Sequence, residues 1–83
     1  MKYIVFDNLS HGSDVPVVFP DFVEHSDVAN AFGGIGNVLS AGFVRIHQEG
    51  TLLTVECHGK SIMPDKLPRD FDPHLLSRVL LKQ

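Results

Sequence analysis

Five histidines and a single cysteine are the side chains here with the widest chemistry, and their spacing decides what they can do. Cys57 and His58 are adjacent, His47 precedes them on the same stretch, and His11, His25 and His74 stand apart. A zinc site draws paired ligands at short spacing, and no such pair is present. On an extended strand Cys57 and His58 point to opposite faces and do not share an ion. The histidines therefore read as structural or surface residues, with no metal ligand and no cofactor assigned.

Ser10-His11-Gly12-Ser13-Asp14 contains nucleophile, base and acid types in one short run. A triad needs a rigid scaffold to hold three side chains in reacting geometry, and this run is turn chemistry throughout. Gly33-Gly34-Ile35-Gly36 has the look of a phosphate cradle or of the GxxG loop of a KH module. Phosphate loops precede a helix, whereas these glycines follow one, lead to a strand and have no lysine or arginine nearby. They read as a helix stop with a connector. A nucleophilic Cys57 would need an electropositive, part-exposed setting, so a buried, inert thiol is expected. No catalytic residue is assigned. The alternative, a small histidine- or metal-dependent hydrolase, would use His25 with Asp27 or His58 with Glu56.

The elements that must position these groups follow from pattern. Leu39 to Gly59 reads as a β-hairpin, with a type I turn from His47 to Gly50 and Gly50 left-handed. That register sets His47 opposite Thr51. It puts Ala41, Phe43, Leu53, Val55 and Cys57 on one face, and Val44, Ile46, Leu52, Thr54, Glu56 and His58 on the other. Lys2 to Phe6 is a strand with both faces at least partly covered, and Val15 to Phe19 is its antiparallel neighbour, held to an edge by Pro16. Ser26 reads as the N-cap of a two-turn helix with Val28, Ala31 and Phe32 at helical spacing, of which Val28 and Phe32 are to be buried on the sheet. Asp72-Pro73 starts a second helix with Leu75, Leu76, Val79 and Leu80 as its stripe and Arg78 and Lys82 outside it. The order is β-β-α-β-β-α. The fold expected is an α+β domain with a four-stranded, mainly antiparallel sheet and two helices on one face.

Length and composition bound the rest. Eighty-three residues make a single small globular domain, 1–83, with a small core that self-association would supplement. With 43% apolar and 20% charged residues, the chain is neither a disordered tail nor a membrane span. Seven basic against ten acidic residues argue against a nucleic-acid surface. The N-terminal apolar run is too short for a secretory signal, and one cysteine suits a reducing cytoplasm.

Tyr3-Ile4-Val5-Phe6-Asp7-Asn8, Pro16-Val17-Val18-Phe19-Pro20, His25-Ser26-Asp27-Val28-Ala29 and Ser40-Ala41-Gly42-Phe43-Val44 resemble small proteins encoded by tailed bacteriophages and prophages. The likeness spans most of the chain and brings no catalytic residues with it. It implies a bacterial host cytoplasm and action by binding.

Two surfaces are expected to serve such binding. With both hairpin faces apolar, Val44, Ile46 and Leu52 are the candidate interface of a homodimer or higher oligomer. The loop from Ser61 to Arg69 sets Met63 among the cations Lys60, Lys66 and Arg69, suited to a host protein or a small anionic ligand.

Overall fold

The computed structural model describes residues 1–7, 14–32, 37–59 and 66–81. They form β1 (Lys2–Phe6), β2 (Val15–Phe19), α1 (His25–Ala31), β3 (Val38–Glu49), β4 (Leu52–His58) and α2 (Asp72–Leu80), an α+β arrangement in the expected order. The sheet is antiparallel throughout, with strand order β2-β1-β3-β4. Pro16 lies on the edge strand, as its missing N–H requires.

The helices do not share a face. Ile4 and Phe6 pack with Phe19, Ala41 and Ala29 of α1 on one side. Tyr3 and Val5 pack with Val44, Val55 and Leu76 of α2 on the other. The physical reason is in β1, whose residues are all buried: alternation sends large apolar groups both ways, and each face needs its own cover.

The hairpin register also differs from expectation. Glu49 pairs with Leu52 and His47 with Thr54, leaving Gly50 and Thr51 as a two-residue turn. Gly50 has φ +62°, and both favoured two-residue hairpin turns need a positive φ at that position. The slip moves β4 by an odd number of residues, which exchanges its faces. Val44 and Ile46 therefore share a side with Leu53, Val55 and Cys57, while Phe43 and Arg45 share the other with Leu52, Glu56 and His58.

Both helix starts are shifted as well. α1 begins at His25, with Glu24 at the cap and Ser26 inside the first turn. It buries His25 and Ala29, while Ala31 and Phe32 are exposed. Phe32 keeps one ring contact, 5.5 Å from Phe6. In α2 the cap position falls on Phe71, and Asp72 turns its carboxylate into the core instead of onto the helix end. Leu76 is fully buried, whereas Val79 is exposed.

Candidate functional site

Among the described residues, a buried polar cluster lies between α2 and the sheet. Tyr3 is fixed there because β1 is an inner strand, and a buried phenol needs a partner for its hydroxyl. It donates to Asp72 Oδ2 at 2.7 Å. The same carboxylate accepts from the Arg69 backbone N–H at 2.9 Å and from Arg69 Nε at 3.1 Å. Arg69 continues to Asp14 Oδ2 at 3.2 Å, at the entry to β2. Asp72 is 0% exposed, so these donors are what make its burial tolerable.

Cys57 completes the cluster beside the Tyr3 hydroxyl. Burial pushes the Cys57 thiol up to about 11, with the neighbouring Tyr3 hydroxyl opposing the rise and the Asp72 charge adding to it. Burial, then the bond to Asp72, raises the Tyr3 phenol far above its usual range. Both groups are held neutral at physiological pH, the state in which neither attacks a substrate. The buried thiol expected for Cys57 is found half-buried.

On the opposite face a row of rings runs from α1 to β4. His25 is buried and its Nε2–H donates to the Gly42 carbonyl at 2.9 Å. Its ring meets the edges of Phe19 at 5.3 Å and Phe43 at 5.7 Å, and Phe43 stacks on His58 at 5.8 Å. His25 thus holds α1 to the sheet, and Asp27 is exposed. Glu56 is bound by Arg45 Nε at 2.6 Å, which lowers its carboxyl below the ordinary range. Neither His25 with Asp27 nor His58 with Glu56 makes a hydrogen-bonded acid–base pair among the bonds of the described residues. Nor do any three of His, Cys, Asp and Glu converge into a metal-holding group among the described residues.

The surfaces expected for binding are divided. Lys60 and Met63 lie outside the described residues, as do His11 with the run to Ser13, and Gly33 to Gly36. Lys66 is half-buried, and Arg69 is committed to Asp72 and Asp14 rather than open to an anion. Val44, expected on an uncovered face, is buried under α2, because the hairpin register and the second helix both cover it. Ile46 and Leu52 are 42% and 61% exposed, on opposite faces of the hairpin end, with Leu53 at 42% beside Ile46.

The Tyr3–Asp72–Arg69 network was not read from the sequence. A tyrosine inside a buried strand signals a hidden acceptor, and Arg69 three residues before Asp72 is spacing at which the two meet on a turn. No protein-family model, curated protein or solved structure matches the chain. No helix among the described residues is long and apolar enough to cross a membrane.

Proposed function

We propose that this chain is a small non-enzymatic binding protein, a phage or prophage accessory protein of the bacterial cytoplasm. It engages a host protein through the outer end of the β3–β4 hairpin and associates with itself. The observation that carries this reading is the apolar hairpin end, where Ile46, Leu52 and Leu53 stay exposed. Scattered exposed apolar residues are ordinary, but three at one projecting end are suited to burial against a partner. The groups with reactive chemistry point the same way: the thiol and phenol are held neutral and His25 is spent on Gly42. A host protein is preferred to an anionic ligand because Arg69 is already paired with two carboxylates.

Affinity capture from bacterial lysate tests this, with the wild-type chain and Ile46→Glu/Leu52→Glu run in parallel. A host protein enriched by the wild type and lost from the folded variant supports the reading. Equal capture by both would remove the hairpin end as the contact. Stoichiometric zinc in the purified protein would favour the alternative, the metal-dependent hydrolase.

A further inference from the structure

We infer that β4 pairs antiparallel with β4 of a second copy of this chain, about a two-fold axis through Val55, joining two sheets into one. This rests on the self-association part of the proposed function and gives it an edge, a register and a partner.

The direction of the backbone groups carries the argument. Val44 N donates to Met1 O at 2.9 Å, so Val44 turns its amide toward β1. In an antiparallel ladder successive residues turn alternately to the two sides. Arg45 and His47 therefore turn to β4, and their partners Glu56 and Thr54 turn back to them. Among the described residues, Leu53, Val55 and Cys57 are left with N–H and C=O aimed outward at the sheet edge. The same count across β1 leaves Pro16 and Val18 outward on β2. Pro16 has no N–H there, so that edge is blunted. β4 has no proline, glycine or bulge in its paired length.

The sequence of β4 selects one register. A two-fold axis normal to the sheet keeps each face on its own side, so only residues of like face can meet. Centred on Val55, Val55 bonds Val55 and Leu53 bonds Cys57 of the second copy, which uses every outward group of the strand. Glu56 then faces Thr54, whose hydroxyl now makes only a 3.4 Å contact with His47 O and is free to turn to the carboxylate. A shift toward His58 sets Glu56 against its own copy, a like-charge pair. A shift toward the turn sets Cys57 opposite Thr51, beyond the strand. The centred register also sets the exposed Leu53 of each copy beside Cys57 of the other.

Sedimentation equilibrium and register-specific cross-linking test this. The wild type at high micromolar concentration is expected at twice the chain mass. Leu53→Pro, which removes an outward N–H as Pro16 does on β2, is expected at the chain mass with its circular dichroism unchanged. Thr54 and Glu56 form a close, non-hydrogen-bonded pair whose spacing suits a disulfide. With Cys57→Ser in both, an equimolar mixture of Thr54→Cys and Glu56→Cys proteins should cross-link several-fold more than either alone. Those cross-links decide the matter even where Leu53→Pro fails to fold. A wild type at the chain mass, a folded Leu53→Pro that stays dimeric, or a mixture that cross-links no better than its components would each overturn the pairing. Capture of a host protein by Ile46 and Leu52 would stand or fall separately.

Discussion

Tyr3 and Asp72 are 69 residues apart in sequence and 2.7 Å apart in space, phenol donating to carboxylate. That bond joins an inner strand to the first turn of α2, and Arg69 extends it to Asp14 at the entry to β2. Three parts of the chain therefore depend on one buried carboxylate.

Removing the carboxylate should cost more than removing its lightest donor. Tyr3→Phe leaves Asp72 with both Arg69 bonds and should cost about 1 to 2 kcal/mol. Asp72→Ala strands the phenol and a part-buried guanidinium, for which about 3 to 5 kcal/mol is expected. Urea unfolding of the two variants and the wild type gives the comparison; equal costs would show that Arg69 contributes nothing.

Stability should fall on the alkaline side. Cys57 and Tyr3 have raised folded-state values, so above the ordinary thiol value of 9.0 the unfolded chain loses protons that the folded chain keeps. The stabilisation is complete below that pH and declines as pH rises toward about 11, where the folded thiol itself titrates. Urea midpoints between neutral pH and about 11 should show the decline, and Cys57→Ala should flatten its first part. A flat profile in the wild type would contradict the burial of both groups.

Gly42 sits where a side chain has no room. A Cβ there would lie 2.8 Å from the His58 carbonyl oxygen and 2.9 Å from Pro68 Cγ. The first contact is backbone and gives way only by moving β4, so Gly42→Ala should destabilise by about 1 to 3 kcal/mol. A thermal midpoint equal to the wild type would mean that the segment over the sheet shifts freely.

Ser40 presents the opposite case. Its hydroxyl is fully buried and has no hydrogen-bond partner among the described residues. Ser40→Ala removes a desolvated polar group without loss of a bond, so stability should hold or rise by about 1 kcal/mol. A clear loss by the same urea assay would reveal a partner for that hydroxyl.

Much of the architecture was legible because strand and helix signals are local. Pro16 marked an edge, Asp72-Pro73 marked a helix start to within a residue, and the doubly apolar Lys2 to Phe6 marked a covered strand. The hairpin register was not, because a left-handed Gly50 satisfies two turns of different length, and β4 presents apolar side chains to both faces. The helix placement followed the same ambiguity. The roles of Asp72 and Arg69 depended on Tyr3 and Asp14, whose proximity no local pattern expresses.

The position of β1 between β2 and β3 has a consequence for the order of folding. β1 emerges from the ribosome before all its partners, yet both of its faces wait for residues made much later: Ala29 for one, Val44 and Leu76 for the other. The β3–β4 hairpin closes through a two-residue turn, a shorter loop than the one between Phe6 and Val15, and hairpins form in about 1 to 10 μs. Productive folding is therefore expected to begin at the hairpin and finish when α2 docks, with both faces of β1 uncovered until then even where β2 already pairs its edge. Chaperone binding to a nascent chain should accordingly concentrate on Tyr3 to Phe6 and be released on completion of α2.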